Sequence, residues 1–354
     1  MTAAVHVGIL GGSGYGAGEL LRLLTQHPRA TVVSVTSGSG AGEPVERVHP
    51  HLRGFYALRM TESLDLERLL AAERAVVFSG LPHGSSAAAI ASLLTELRRR
   101  EAERRVRIVD LSGDFRLREI RTHEQHYPET PALPDLRARF VYGLPELLRD
   151  EIRSAALVAN PGCLASAAIL AAAPLLADGF AGPVAVDAKT GSSGSGRALK
   201  ETTHHPTRHA DFRAYKPLSH QHEPEILQAW GDPDGERIRI SFVAQSMDAA
   251  RGIFVTVHLT LAQESDTHAL LRRYAEFYEE CPFVRVGEDS PALQNVVGSN
   301  FCDVSVACRR RQVVAMAALD NLVKGMAGTA IQNMNLMCGL AEETGLWAPG
   351  LRPV

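Results

Sequence analysis

A short apolar run, VHVGIL at residues 5–10, ends directly in the glycine-rich string GGSGYGAG and then in ELLRLLTQH, whose apolar positions recur with helical period. Strand, tight turn and helix are therefore written into the first 27 residues. A second strand, ATVVSVTS at 30–37, follows Pro28, and a strand–helix–strand unit of this length suits a right-handed parallel crossover. Further strands are expected at RAVVFSGLP (74–82) and VRIVDLS (106–112), with an alanine-rich helix between them. This alternation over the first 160 residues predicts an α/β domain with a doubly wound parallel sheet.

The texture changes after Cys163. A helix expected over about 164–177 gives way to the strands PVAVDAKT, RIRISFVAQS, GIFVTVHLTL and VVAMAALD, several without an intervening helix. A second, α+β domain with a mixed or antiparallel sheet follows from that spacing. NLVKGMAGTAIQNMNLMCGL predicts one long helix returning to the first domain. A chain of 354 residues makes two domains the natural expectation.

Composition excludes several classes. Hydrophobic residues are 45% and charged residues 22%, the balance of a globular enzyme. The net charge of −3, with both signs mixed, leaves no basic stripe for nucleic acid. No apolar run approaches the roughly 20 residues that span a bilayer, and the chain opens into a strand without a basic leader, so a cytoplasmic protein without a membrane partner is expected. Five cysteines without a C-x-x-C pair argue against a disulfide framework or a structural metal.

In the first turn, Gly11, Gly12, Ser13, Gly14, Tyr15 and Ala17 stand where a strand-to-helix connection needs small residues, so that backbone N–H groups and the helix N-terminus can approach a pyrophosphate. The second strand runs out in Thr36, Ser37, Gly38 and Ser39, where an NAD site usually places a carboxylate on the ribose 2′-hydroxyl. The absent acid favours NADP(H), with Ser37 and Ser39 as candidate donors to its 2′-phosphate.

Cys163 lies in LVANPGCLASAAILAAAPLL, an apolar run, a Pro-Gly turn, then a helical pattern. That places its sulfur near a helix N-terminus, where the positive end of the dipole favours thiolate. The other four cysteines read as small buried hydrophobes. A thiolate nucleophile wants an acid/base, and YKPLSHQHEPEI offers His220 and His222 two residues apart, expected on one face of an extended segment, with Glu225 beyond to orient one of them. Gly194 and Arg197 of the Gly/Ser segment, and Lys216, can supply donors to a phosphate or carboxylate, or can belong to mobile loops.

Taken in order, GILGGSGYGAGELLRLL, GLPHG (80–84), VDLSGDFRL (109–117), NPGC (160–163), GSSGSGR, YKPLSHQHEPEI and LDNLVKGMAGTAIQNMN resemble the N-acetyl-gamma-glutamyl-phosphate reductase family, within the larger group of aspartate-semialdehyde and glyceraldehyde-phosphate type dehydrogenases. The resemblance implies a Rossmann domain over 1–160, completed by about 322–354, and a catalytic and oligomerisation domain over 161–321. It implies an NADPH-dependent reduction of a side-chain acyl phosphate to a semialdehyde through a Cys163 thioester, with His222 as acid/base, Glu225 orienting it and His220 nearer the substrate. It adds Pro82 and Gly325 to the cofactor site, Ser112 and Arg116 to the substrate site, and a homo-oligomer, dimer or tetramer.

Residues 203–217, THHPTRHADFRAYKP, and the ending GLWAPGLRPV look more like the lysine-biosynthesis branch, whose substrate is carried on the small acidic protein LysW; NPGC matches the acetylglutamate branch better. On the carrier reading His204, His205, Arg208, His209 and Arg213 would meet acidic residues of the carrier. A rival from another class is a non-catalytic NADP-binding redox sensor using Cys163. It accounts for the glycine loop and the cysteine but not for His-x-His-x-x-Glu.

Overall fold

The computed structural model describes residues 4–176 and 179–353. Its contacts divide the chain into two compact units, Met1–Pro161 with Met326–Trp347, and Gly162–Gly325 with Ala348–Val354.

The first unit is built on strands β1 (Val5–Leu10), β2 (Ala30–Val35), β3 (Arg74–Ser79), β4 (Val106–Asp110), β5 (Phe140–Tyr142) and β6 (Leu157–Ala159), in the order β2-β1-β3-β4-β6-β5. Every pairing is parallel, so the doubly wound sheet expected from the alternating pattern forms. Strands covered on both faces must be apolar almost throughout, and β3 is buried from Ala75 to Ser79. Helices α1 (Tyr15–Leu24), α2 (Ser85–Arg99) and α3 (Pro145–Ser154) connect strands of this sheet. Ile90, Leu94 and Leu97 of α2 join Val77, Ile108 and Leu157 in one buried cluster. Each such side chain contributes about 1.5–3 kcal/mol relative to exposure.

The second unit opens with α4 (Cys163–Leu176), in which every residue after Cys163 is buried. The end expected at residue 177 lies outside the described residues. An alanine- and leucine-rich sequence without a polar face suits a helix enclosed on all sides. Pro174 inside it cannot donate to the Leu170 carbonyl, and the Tyr278 hydroxyl does so instead at 2.5 Å.

The mixed sheet comprises β7 (Gly182–Thr190), β8 (Arg213–Tyr215), β9 (Ile238–Ser246), β10 (Ile253–Asp266), β11 (Val284–Val286) and β12 (Cys302–Leu319), ordered β11-β12-β10-β7-β9-β8. The β10–β12, β10–β7 and β8–β9 pairs are antiparallel, and β11–β12 and β7–β9 are parallel. Helix α4 packs on β10 and β12, and α5 (Glu223–Ala229) and α6 (Thr267–Phe277) complete the unit.

The single long helix expected over 321–340 does not form. A π-helical turn, Val323–Ala327, precedes a ten-residue α7 (Gly328–Met337). The Asp320 carboxylate accepts the N–H groups of Leu322 at 2.8 Å and Val323 at 3.2 Å, while its carbonyl accepts the Gly325 N–H at 2.8 Å. That last bond spans five residues and widens the turn. The segment after 347, expected to stay with the first unit, returns to the second, where Leu351 N–H donates to Val297 O at 2.7 Å.

Candidate active site

In the first unit the glycine turn leaves β1 with Gly11 at φ +77°. A Cβ on Gly12 would overlap Val35 Cγ1 and stand 3.0 Å from the Thr36 carbonyl, which the Gly12 N–H reaches at 2.6 Å. Gly14, the residue before α1, has nothing within 4 Å of the position a Cβ would take. The turn is thus packed from behind and open at the helix N-terminus, which is the shape a backbone cradle for a pyrophosphate requires. Ala17 is buried and Tyr15 exposed.

The other residues assigned to the cofactor and substrate from sequence are placed unequally. Ser39 is exposed, but Ser37 is buried, and its Oγ accepts the Gly40 N–H at 3.1 Å, so its hydroxyl closes its own loop. Pro82 is exposed ahead of α2, whose first turn is capped by Asp114, accepting from Gly84 at 3.0 Å and Ala87 at 2.8 Å.

Ser112 and Arg116, assigned to the substrate by the family resemblance, are both buried and hydrogen-bonded within the first unit. Ser112 is buried, donates to Asp110 Oδ2 at 2.7 Å and accepts from the Asp114 N–H. Arg116 is buried and donates to the carbonyls of Asn160, at 2.8 Å, and Leu111, at 2.9 Å. A short turn between two aspartates must satisfy several amides at once, and these side chains are drawn inward to do it. Asn160, which the sequence reading passed over, is also held by Asn333 at 3.1 Å and donates to the Met326 carbonyl at 3.1 Å.

In the second unit Cys163 is the first residue of α4 and the only one in it not fully buried. The two histidines are not on an extended segment. They occupy the turn leading into α5, with His222 at φ −83°, ψ −12° directly before the helix. The Glu-Pro pair that follows favours helix initiation, and the turn brings the rings edge to face at 4.7 Å.

A Cβ on Gly162 would overlap His222 Nε2, so the imidazole lies against the α-carbon of the residue preceding Cys163. Glu225 is fully buried, and its Oε1 accepts the Gly162 N–H at 2.6 Å. The carboxylate therefore grips the cysteine's own turn. His220 Nδ1 accepts the His222 backbone N–H at 3.1 Å. Burial first, and the Lys216 ammonium second, pull His220 down to about 4, which leaves it neutral near pH 7. Burial and the neighbouring Cys163 hold the Tyr215 phenol above its ordinary value.

Gly325 was expected beside the cofactor, and in the second unit it is packed on Cys163. A Cβ there would meet Cys163 Cβ at 2.7 Å and the Asp320 carbonyl at 3.3 Å. The Gly/Ser loop is tied down by Asn321, which donates to Ser193 Oγ at 2.9 Å and accepts the Gly252 N–H at 2.8 Å. Gly194 and Arg197 on this loop, and Lys216, are exposed, with Lys216 Nζ donating to Gln221 at 3.0 Å.

Of the five basic residues assigned to an acidic carrier, Arg208 is buried, Arg213 is paired with Asp211 at 2.7 Å and His209 lies 3.5 Å from Asp248. Only His204 and His205 stay exposed without an acidic neighbour among the described residues, so this stretch is far less available as a basic surface than its sequence implies. Among the described residues no group of His, Cys, Asp and Glu is arranged to hold a metal, and no helix is long and apolar enough to cross a membrane.

A parallel sheet with a glycine turn at the N-terminus of its first helix, followed by a mixed sheet whose enclosed helix starts on a half-exposed cysteine, is the architecture of a dinucleotide-dependent dehydrogenase. A family model described as semialdehyde dehydrogenase, NAD binding domain, matches residues 6–155, and one described as semialdehyde dehydrogenase, dimerisation domain, matches residues 163–321. N-acetyl-gamma-glutamyl-phosphate reductase from Pelotomaculum thermopropionicum is 42% identical over 99% of this chain and 100% of its own length. A provisionally named LysW-L-2-aminoadipate/LysW-L-glutamate phosphate reductase from Cenarchaeum symbiosum is 40% identical, again over 99% and 100%. Aspartate semialdehyde dehydrogenase II from Vibrio cholerae shares the fold, with a TM-score of 0.64 at 15% identity over 95% of this chain and 98% of its own.

The chain belongs to the semialdehyde dehydrogenase family, alongside the N-acetyl-gamma-glutamyl-phosphate reductases. It is an oxidoreductase that binds a nicotinamide dinucleotide. The alternative of a non-catalytic redox sensor finds no support, since these relatives are named as reductases and dehydrogenases.

Proposed function

We propose that this enzyme reduces the side-chain acyl phosphate of an N-blocked acidic amino acid to the semialdehyde, in the manner named for its N-acetyl-gamma-glutamyl-phosphate reductase relatives. The observation that carries the reading is Cys163, exposed only at the start of a buried helix, with the His222 ring against the preceding glycine. The Cys163 thiolate attacks the acyl carbon; its S–C bond forms as the C–O bond to phosphate breaks, leaving a thioester and inorganic phosphate. NADPH, when bound at the Gly11–Gly14 turn, supplies the hydride that takes this acyl group to the aldehyde.

The chain's own residues prepare the sulfur and manage the protons. His222 is the acid/base at Cys163, because His220 is held neutral and commits Nδ1 to the backbone of its neighbour. Glu225, through the Gly162 N–H, fixes the turn on which the sulfur rides. Arg197 and Lys216, both exposed, are the cations available for the phosphate or α-carboxylate. NADP is preferred to NAD because no carboxylate follows β2, and Ser39 is the exposed hydroxyl there.

The open face of the second sheet, with Phe254, Thr256, Val314 and Met316 half-buried on adjoining strands, is the surface through which the enzyme forms a homo-oligomer. An acetyl-blocked substrate is the first choice, since most of the basic residues suited to a LysW-type carrier are buried or paired. The test offers the enzyme the acetylated and the LysW-linked semialdehydes with phosphate and NADP. A kcat/KM at least tenfold higher for the acetylated compound is expected, and turnover of neither would overturn the reading.

A further inference from the structure

The basic stretch around residues 98–107 is treated in two ways by the first unit. Arg98 and Arg139 pair with Glu103 at 2.8 and 2.6 Å, Arg99 pairs with Glu96 at 2.7 Å, and Arg100 pairs with Glu67 at 2.5 Å and Glu96 at 2.6 Å. Arg74, Arg104, Arg105 and Arg107 have no carboxylate partner among the described residues. These four line one pocket of about 330 Å³ together with Met337, Cys338, Gly339 and a single acid, Glu73. Four like charges lining one pocket against a single acid repel one another, which is costly without a counter-charge.

The guanidinium groups are not scattered. Arg74 starts β3 and donates to the Cys338 carbonyl just beyond α7, and Arg105 is braced on the carbonyls of Leu70, at 2.6 Å, and Ala72, at 3.0 Å. Arg107 lies one strand over on β4, and its Nη1 reaches the Arg104 carbonyl at 3.4 Å. Burial pushes the Cys338 thiol up to about 11 while Arg74 and Arg107 pull the other way, so both cations face the same wall of the pocket. Arg104 is exposed at the rim of the pocket.

The strand pairing fixes where this pocket lies. Val5 pairs with Arg74 and Leu10 with Ser79, so the arginines sit at the starting ends of the strands and the glycine turn at the finishing ends. Five residues of strand separate them, about 17 Å. The quartet is therefore separate from the dinucleotide cradle.

We propose that this pocket binds a polyphosphate, either free or as the triphosphate tail of a nucleotide. Guanidinium forks chelate phosphate oxygens in pairs, and three braced ones with Arg104 at the rim, against one carboxylate, call for several negative charges on one ligand. A pocket of this volume also exceeds what a lone orthophosphate fills.

The test is calorimetric titration of the NADPH-saturated enzyme with inorganic pyrophosphate, tripolyphosphate and adenosine triphosphate. Saturable binding below millimolar Kd is expected for tripolyphosphate, with pyrophosphate weaker. Arg104→Glu, at an exposed side chain, should weaken it tenfold or more while leaving NADPH affinity unchanged. Tighter adenosine triphosphate assigns the site to a nucleotide, and equal affinity assigns it to the free chain. Binding that ignores Arg104→Glu and Arg107→Gln alike, or that NADPH displaces, overturns the proposal. Because the readout is binding, a failed substrate assignment leaves it untouched.

Discussion

The two halves of this enzyme build their functional turns by opposite means. The glycine turn of the first unit is local: Gly11, Gly12 and Gly14 sit within four residues of one another, and the contact that forbids a side chain at Gly12 comes from the adjacent strand β2. The cysteine turn of the second unit is assembled from far along the chain. Glu225 holds Gly162, His222 covers it, and Gly325 presses on Cys163. A cradle made of backbone needs only missing side chains, whereas a nucleophile needs an acid, a base and a wall, and these come from distant segments.

Substitutions on the two sides should separate these roles. The largest effect belongs to Cys163→Ser, which should cut semialdehyde turnover by about 10⁴ or more while NADPH affinity stays within about threefold. Fluorescence titration of the cofactor alongside the activity assay checks both parts, and loss of cofactor binding would contradict the division. Gly12→Ala should do the reverse. Its Cβ clashes with Val35 and the Thr36 carbonyl, costing about 1–3 kcal/mol of stability and raising the Kd for NADPH at least tenfold.

Gly325→Ala comes next, with kcat expected to fall about tenfold to a hundredfold as the new methyl displaces Cys163, and the cofactor Kd little changed. A variant whose loss appears in cofactor affinity instead would return Gly325 to the nicotinamide side, where the sequence reading put it.

The smallest effect is on stability against pH, and it involves both halves. Burial lowers His123 in the first unit and His220 in the second to about 4, and lowers His27 as well. Between pH 6.5 and 4 these imidazoles gain protons only on unfolding, so stability is lost as pH falls through that window. Asp110, raised to about 6 by burial, works the other way over pH 6 to 4, as one group against three. The melting temperature should therefore drop several degrees between pH 7 and 4.5. It should drop less in His123→Phe, which keeps a ring against Tyr127, and more in Asp110→Asn.

The legibility of the site follows the same contrast. β1, the glycine turn and α1 could be read directly, because their hydrophobic period and small residues are consecutive. Cys163 was legible because Pro-Gly followed by an alanine-rich run marks a helix start. The inward turn of Ser37, Ser112 and Arg116 could not be read, since a polar side chain near a site satisfies buried amides as readily as a ligand. Asn160, Asn321 and Asp320 were overlooked for the same reason: their partners are carbonyls and amides far from them in sequence.

The sequence alone determined the parallel sheet, the glycine turn and the place of Cys163 at a helix start, because each depends on neighbours along the chain. Tertiary structure alone decided which histidine stays neutral, what holds Gly162, where the π turn breaks the last helix, and which arginines remain without a counter-charge. Those outcomes depend on burial and on pairings between distant segments, and neither is encoded in any local window of residues.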